Sequence, residues 1–130
     1  MAEIKKDGRF YIGKSKILKA GKGLFAKASL AKGERLRVPG VLIKAGSLED
    51  ECTRYADRHK FRVGKNLLIP IGYGGMSNHS LKPNMEKVIE GKQVYLRALR
   101  DVRRGEELCH RYNESAQKRL GLKKPPLNAG

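Results

Sequence analysis

The sequence contains no tryptophan, two cysteines and few aromatic residues. Cys52 and Cys109 stand far apart, which excludes a CxxC zinc pair and a disulfide framework. We predict two small buried thiols and no metal site. No apolar run approaches the roughly 20 residues that cross a bilayer, and residues 1–14 lack an apolar stretch followed by a cleavage site. We therefore expect an intracellular protein, in cytoplasm, nucleus or nucleoid, without a membrane segment.

Acidic residues are also scarce. Lys and Arg number 29 against 13 Asp and Glu, which gives a net charge of +16. The two ends of the chain are strongly positive, whereas residues 41–80 are nearly balanced. Such a field favours polyanions without sequence specificity. It predicts proximity to nucleic acid or ribonucleoprotein, or contact with an acidic protein face.

The stretch GRFYIGKS at residues 8–15 matches the phosphate-binding pattern G-x-x-x-x-G-K-[ST]. That pattern works when small residues turn the backbone toward phosphates between a buried strand and a helix. Here the central residues are RFYI, three of which favour strands, and Gly21 and Gly23 interrupt the segment that would have to be the helix. We therefore reject nucleotide hydrolysis and predict a first strand, with Phe10 and Ile12 facing inward and Tyr11 facing outward.

Short apolar segments between Gly and Pro turn signals predict a mostly β, α+β domain. MEKVIEGKQVYLRAL is predicted to form a hairpin about Glu90-Gly91-Lys92, and Pro39-Gly40 a turn. SLEDECTRYADR is the best helix, because Ser47 can cap it, Asp50 approximates a capping box, and one face carries apolar residues. That face comprises Leu48, Cys52, Tyr55 and Ala56. Other predicted strands are LFA, RLRV, NLLIPI and one after Gly105, and NESAQKRLG is a brief final helix.

Three motifs occur in a fixed order. AGKGLFA lies at residues 20–26, NHSLKPN at 78–84 and RDVRRGEELCHRY at 100–112. Alone, the second motif would be a polar turn before Pro83. Together, the three closely resemble the SET domain, the family of protein-lysine methyltransferases that use S-adenosylmethionine. The resemblance covers residues 9–118, preceded by an extension (residues 1–8) and followed by a basic, proline-containing tail (residues 119–130).

The resemblance implies a SET-type β-clip fold of small curled sheets with a knot-like C-terminal crossing. It also implies that the backbone at Ala20, Gly21, Lys22 and Gly23 lines S-adenosylmethionine, with the glycines allowing close approach.

By the same resemblance, Asn78 and His79 hydrogen-bond the cofactor, and Tyr112 stands where the methyl group meets the substrate amine. Tyr55 falls where relatives often place an aromatic residue near the cofactor, although helix packing explains it equally well. His110 stands in the substrate channel, where Phe or Tyr is common and helps set the number of methyl groups. It is either an acceptor for the amine or a packed residue. Gly74-Gly75-Met76-Ser77 replaces the usual arginine and apolar residues, either loosening the pocket or suiting a compact loop.

Methyl transfer to lysine is an in-line displacement, so catalysis needs alignment and a neutral amine. A free lysine is only about 0.04% neutral at pH 7. Burial beside a cationic sulfonium lowers the lysine pKa. Tyr112 is expected to orient the amine and the methyl group rather than act as a base, because a tyrosine pKa is near 10.

The predicted function is therefore a protein-lysine N-methyltransferase acting on an exposed lysine of a protein substrate. The alternative is a degenerate SET module that binds cofactor and acts as a basic interaction protein without turnover. A chain of +16 repels a lysine-rich peptide. A groove made acidic by Glu49, Asp50 and Glu51, or a nucleic acid bridging enzyme and substrate, would overcome that repulsion.

Overall fold

A computed structural model describes residues 7–17, 20–112 and 117. Within them, ten short strands and one helix alternate with turns, which confirms the predicted β-rich fold. The strands are β1 (Phe10–Lys14), β2 (Lys22–Ala26), β3 (Arg35–Val38), β4 (Gly40–Lys44), β5 (Phe61–Val63), β6 (Asn66–Pro70), β7 (Asn78–His79), β8 (Met85–Glu90), β9 (Gln93–Ala98) and β10 (Glu107–His110). The helix α1 is Leu48–Cys52, and 3₁₀ turns occupy Arg54–Ala56 and Tyr73–Met76.

Three small sheets hold these strands, in the orders β1-β2-β10-β7, β3-β9-β8 and β4-β6-β5. In the first sheet, β10 lies antiparallel to β2 and parallel to β7. The parallel pair places Asn78 opposite Cys109 and His79 opposite His110. The second and third motifs therefore meet in adjacent strands, with the first motif on the other side of β10. The knot-like crossing stays a prediction.

In β3, apolar and basic side chains alternate, so that one face of the strand packs into the core. Leu36 and Val38 are buried, whereas Arg35 and Arg37 are exposed. The two apolar residues pair across β9 with Leu96 and Val94, which are fully buried. Each such Val or Leu stabilises the fold by about 1.5–3 kcal/mol relative to exposure.

The first strand and the hairpin follow the sequence predictions. Phe10 is buried and Ile12 packs against the core, while Tyr11 faces outward and stacks on Phe25 with ring centroids 5.2 Å apart. β8 and β9 pair in register as far as Glu90 opposite Gln93, and Gly91 adopts a φ of 62° in the turn between them. Glycine adopts this left-handed conformation without a steric penalty.

The predicted helix is much shorter than expected. Ser47 caps it as predicted, since its hydroxyl accepts a hydrogen bond from the Asp50 backbone N–H at 3.3 Å. The helix ends at Cys52, and the Thr53 hydroxyl donates to the Glu49 carbonyl in place of a further turn. No residue of α1 is buried, so no core packing extends it.

The predicted apolar helix face is correspondingly wrong for three of its four residues. Leu48 is 74% exposed, Tyr55 is 86% exposed and Cys52 is also exposed, whereas Ala56 is buried. The prediction of two buried thiols therefore holds for Cys109 alone.

Three strands were not predicted: β4, β5 and the two-residue β7, which lies in a segment expected to be a polar loop. Pro39-Gly40 was expected to form a turn, but Gly40 begins β4 and pairs with Pro70 in β6. A side chain at Gly40 would overlap the Ile69 carbonyl, so glycine here permits close strand packing. The predicted final helix at 113–121 falls on residues of which only Gln117 is described, and the tail falls outside the described residues. Among the described residues, no helix is long and apolar enough to cross a membrane.

Candidate active site

The first and second motifs are joined through Asn78. Its side-chain amide donates to the Lys22 carbonyl at 3.0 Å and to the Glu107 carboxylate at 3.2 Å. Asn78 is buried, so these bonds fix its side chain beside the loop that begins at Ala20. Ala20 lies on that loop, where its N–H donates to the Ile17 carbonyl at 3.1 Å.

Glu107 is a site residue that sequence reasoning did not single out. Its carboxylate accepts hydrogen bonds from the Ser15 hydroxyl at 2.7 Å, the Lys16 backbone N–H at 2.8 Å and Asn78 at 3.2 Å. Charge-assisted bonds of this kind are about twice as strong as neutral ones. Ser15 is the last residue of the phosphate-loop match, and its backbone N–H donates to the Gly21 carbonyl at 2.8 Å. Ser15 thus links the first motif to the third. The available sequence signal was the second Glu of G-E-E-L.

The two loop glycines are required for different reasons. Gly21 has a φ of 73°, and the space where its side chain would stand is open. At Gly23, a Cβ would lie 2.5 Å from the Glu107 carboxylate and 3.1 Å from the Asn78 amide. Protein packing therefore accounts for Gly23 in this structure, whereas Gly21 is needed for its backbone conformation and leaves room beside the loop.

Tyr112 is held at three points. Its hydroxyl donates to the Ser77 carbonyl at 3.1 Å, its backbone N–H donates to His79 Nδ1 at 3.0 Å, and its carbonyl accepts from the Gln117 side chain at 2.8 Å. Burial raises the pKa of Tyr112, an effect that the positive charge of Arg58 partly opposes. The phenol is therefore protonated at neutral pH, as a group that orients other atoms requires.

His79 contacts Tyr112 through its ring and accepts a hydrogen bond from the Tyr112 backbone. The two rings lie 5.1 Å apart between centroids. Because His79 Nδ1 accepts the Tyr112 N–H, that nitrogen carries no proton. Burial lowers the pKa of His79, and the charge of Arg111 lowers it further. The His79 ring is therefore neutral at pH 7.

His110 is deeply buried, with 6% of its surface exposed. Its ring stacks on Phe61 with centroids 5.2 Å apart, lies 4.9 Å from the ring of Tyr112, and places Nδ1 2.8 Å from the Ser77 hydroxyl. Burial lowers the pKa of His110 to about 3, together with the charge of Lys87 and with that of His79 where His79 becomes protonated at low pH. His110 is thus a packed neutral histidine that also lines a cavity.

The Ser77 hydroxyl indicates which His110 nitrogen carries the proton. That hydroxyl also lies 3.2 Å from the Leu108 carbonyl, which can only accept. Both contacts are satisfied when Ser77 donates to Leu108 and His110 Nδ1 donates to Ser77. The Nε2 atom of His110 is then left as an acceptor.

The cavity that meets Tyr112 has a volume of about 350 Å³. Its wall brings together residues of five segments, including Ser77, His110 and Tyr112. Among the described residues, the lining consists of Asp57, Arg58, His59, Lys60, Phe61, Arg62, Gly75, Ser77, Lys87, His110, Arg111, Tyr112 and Gln117. The residues predicted to bind cofactor, including Tyr55, are outside this lining. The Tyr55 side chain is exposed to solvent.

The glycine pair before Asn78 makes the loop compact. A side chain at Gly74 would come within 2.6 Å of Val38, and one at Gly75 within 2.8 Å of Pro70. Of the two open interpretations, close packing is therefore the one that the structure favours. The Gly75 carbonyl also accepts a hydrogen bond from His59 Nδ1 at 2.5 Å, at the wall of the cavity.

A family model described as the SET domain matches residues 21–113. The chain belongs to the SET-domain family. Its members are lysine methyltransferases that use S-adenosylmethionine, and the matched range includes Asn78, His79 and Tyr112, whose roles stay predictions. Comparison with curated protein sequences gives no match.

Two solved structures are similar to this SET chain. A Plasmodium falciparum protein, provisionally assigned as a histone methyltransferase, is 25% identical with a TM-score of 0.66; the match covers 84% of this chain and 96% of that one. A chain of ctPRC2, solved in an autoinhibited conformation bound to S-adenosylmethionine, is 21% identical with a TM-score of 0.70. That match covers 89% of this chain but 17% of the ctPRC2 chain, and it shows the fold alone.

The residues at the predicted cofactor position fit S-adenosylmethionine in two respects. The space beside Gly21 is open, and the loop that would line the cofactor is fixed by Asn78 and Glu107 rather than by side chains filling that space. Among the described residues, no group of three or more His, Cys, Asp and Glu side chains could hold a metal ion.

Proposed function

We propose that this SET protein is an S-adenosylmethionine-dependent protein-lysine N-methyltransferase. The observation that carries the proposal is the position of the Tyr112 hydroxyl, which is 3.1 Å from the Ser77 carbonyl at the wall of a cavity shared with His110. A lysine side chain entering this cavity would meet a protonated phenol, a carbonyl oxygen and a neutral imidazole. These groups suit an uncharged amine and an electrophilic methyl group.

Cofactor binding is assigned to the loop from Ala20 to Gly23, with Asn78 and His79. S-adenosylmethionine, when bound there, supplies the methyl group. Asn78 positions the loop through the Lys22 carbonyl, and Gly21 leaves the neighbouring surface open. Tyr55 is left out of this assignment, because its side chain is 86% exposed and makes no described contact with these residues.

Deprotonation of the acceptor amine is favoured by the positive side chains around the cavity. The charge of Arg58 opposes the rise in the Tyr112 pKa, and the charge of Lys87 contributes to the fall in the His110 pKa. A positively charged surrounding disfavours an ammonium ion and lowers its pKa. Tyr112 then orients the neutral amine by accepting a hydrogen bond from it, while the phenol proton stays in its bond to the Ser77 carbonyl.

His110 is proposed to influence how many methyl groups the lysine receives. Its Nε2 is free to accept, and an acceptor there can hold an amine hydrogen or a water molecule. Substitution to Phe removes that acceptor while keeping a ring to stack on Phe61. We expect His110→Phe to change the ratio of mono-, di- and trimethyllysine, measured by mass spectrometry of the product.

The test is incubation of the protein with labelled S-adenosylmethionine and a cell lysate, at low and moderate salt. Tyr112→Phe serves as the matched variant, because it removes one hydroxyl and keeps the ring. We expect labelled protein bands with the wild type that are lost with the variant. Cofactor binding without any tyrosine-dependent band would instead support the alternative, a degenerate SET module that binds partners through its basic surface.

A further inference from the structure

The cavity beside Tyr112 is strongly basic. Its described lining holds five Lys and Arg side chains but one carboxylate, that of Asp57. The five are Arg58, Lys60, Arg62, Lys87 and Arg111. This imbalance bears on which protein segments can bring a lysine to the site.

One of the five cations is already neutralised. The Lys60 side chain is fully buried, and its Nζ lies 2.7 Å from carboxylate oxygens of both Asp50 and Asp57. The carboxylate in the cavity wall is therefore committed to a structural cluster. It is not available to attract a basic substrate.

Among the described residues, the other four cations have no such partner. Within the described part of the chain, none of them forms an ion pair with a carboxylate. Arg58 and Arg111 are exposed, and Arg62 and Lys87 are half-buried. Lys87 Nζ donates to the Arg62 carbonyl at 2.9 Å, which satisfies one hydrogen bond but leaves the charge.

The acidic residues that might have offset these charges lie elsewhere. Glu49 and Glu51 are exposed on α1 and do not belong to the lining, and Asp50 faces Lys60. The residues that the structure leaves undescribed contain seven basic and two acidic side chains, so their composition adds no acidic excess. The expectation of an acidic groove near residues 49–51 is therefore not supported.

We infer that the acceptor lysine of the substrate is flanked by acidic residues. The inference rests on the proposed lysine methyltransferase function and names the substrate class for that site. Acidic flanks would pair with Arg58, Arg62 and Arg111 at the rim, while the lysine itself enters the cavity in its neutral form. Basic flanks would be repelled by the same charges, and this repulsion falls with salt.

The test uses two fluorescein-labelled peptides of equal length, each with one central lysine. One peptide has two Glu on either side of the lysine, and the other has two Arg. Methyl transfer is measured with labelled S-adenosylmethionine, and binding is measured separately by fluorescence anisotropy. At low salt, we expect both measurements to favour the Glu peptide about tenfold, the effect of two screened charge pairs between its Glu residues and the arginines. This preference should become smaller at higher salt.

The double variant Arg58→Glu with Arg62→Glu should abolish or reverse that preference. Arg37→Glu with Arg104→Glu is the matched control, since both residues are exposed, lie outside the lining and change the net charge equally. The result is expressed as the ratio of methyl-transfer rates for the two peptides within one variant. A general loss of turnover lowers both rates equally and does not change this ratio.

The two proposals fail in different ways. Equal or better use of the Arg peptide, or a preference untouched by the Arg58/Arg62 variant, would overturn the inference on flanks even if methylation occurs. Absence of transfer to any lysine would overturn the methyltransferase function, while anisotropy would still show whether acidic flanks bind better.

Discussion

Gly23 and Glu107 are predicted to be strongly coupled. A methyl group at residue 23 would stand 2.5 Å from the Glu107 carboxylate, so the carboxylate must move. Moving it breaks the bonds from Ser15, Lys16 and Asn78, which have lengths of 2.7, 2.8 and 3.2 Å. Each bond to a charged group contributes about 1.5–3 kcal/mol when buried. Because Glu107 is half-buried, we expect Gly23→Ala to lower the free energy of unfolding by about 2–3 kcal/mol in total.

The coupling is measured by a double-mutant cycle in urea. Glu107→Ala loses the same three bonds and should cost a similar amount. In that background the nearest obstacle to a methyl group at residue 23 is gone, and only the Asn78 amide at 3.1 Å stays close, so the double variant should be nearly as stable as Glu107→Ala alone. The double variant should therefore be about 2 kcal/mol more stable than the sum of the two single effects predicts, and this difference is the coupling free energy.

Gly8→Ala is the matched control, because no atom lies within 4 Å of the position its Cβ would occupy. Its effect should stay within about 0.5 kcal/mol. If Gly23→Ala and Glu107→Ala destabilise additively, the carboxylate does not occupy the space that the structure gives it, and the reasoning about Gly23 is refuted.

Two other predictions concern buried charge. Lys60→Ala should lower the free energy of unfolding, measured in urea, by about 3 kcal/mol, because Asp50 and Asp57 lose their shared cation. The control is Lys65→Ala at an exposed residue, which should cost less than about 0.5 kcal/mol. Equal costs for the two variants would contradict the ion-pair cluster around Lys60. Since the His110 pKa falls from 6.5 to about 3 on folding, the unfolded state binds an extra proton between these values. Stability should therefore rise with pH across that window, so that it is lost as the pH is lowered from 6.5 toward 3, and the slope should be smaller in His110→Phe. Identical slopes would contradict this assignment.

Local patterns predicted much of the fold. Alternating Leu36 and Val38 predicted β3, and Glu90-Gly91-Lys92 predicted the hairpin, because period-two burial and a left-handed turn are encoded within a few residues. Ser47 likewise predicted the start of α1. The length of α1 was wrong, since an apolar face extends a helix only where a core lies beneath it.

The site was predictable in part. The motifs placed Asn78 and Tyr112 in one family pattern, and the family match confirms the family, while the roles of these two residues stay predictions. Glu107 was not found, because its partner Ser15 is 92 residues away and no local spacing joins them. The charge of the cavity was missed for the same reason, since Arg58, Lys87 and Arg111 come from separate segments that meet only in the folded chain.

The most direct test of the proposed catalysis compares two quantities in wild type and Tyr112→Phe: the Kd for S-adenosylmethionine, by calorimetry, and the rate of methyl transfer at saturating cofactor. The Tyr112 hydroxyl donates a hydrogen bond to the Ser77 carbonyl, and Tyr112 lines the cavity, whereas the cofactor loop at residues 20–23 does not. We therefore predict a Kd within about threefold of wild type and a rate at least about 100-fold lower, the scale expected for loss of one orienting group. An unchanged rate in Tyr112→Phe would contradict the proposed role of Tyr112.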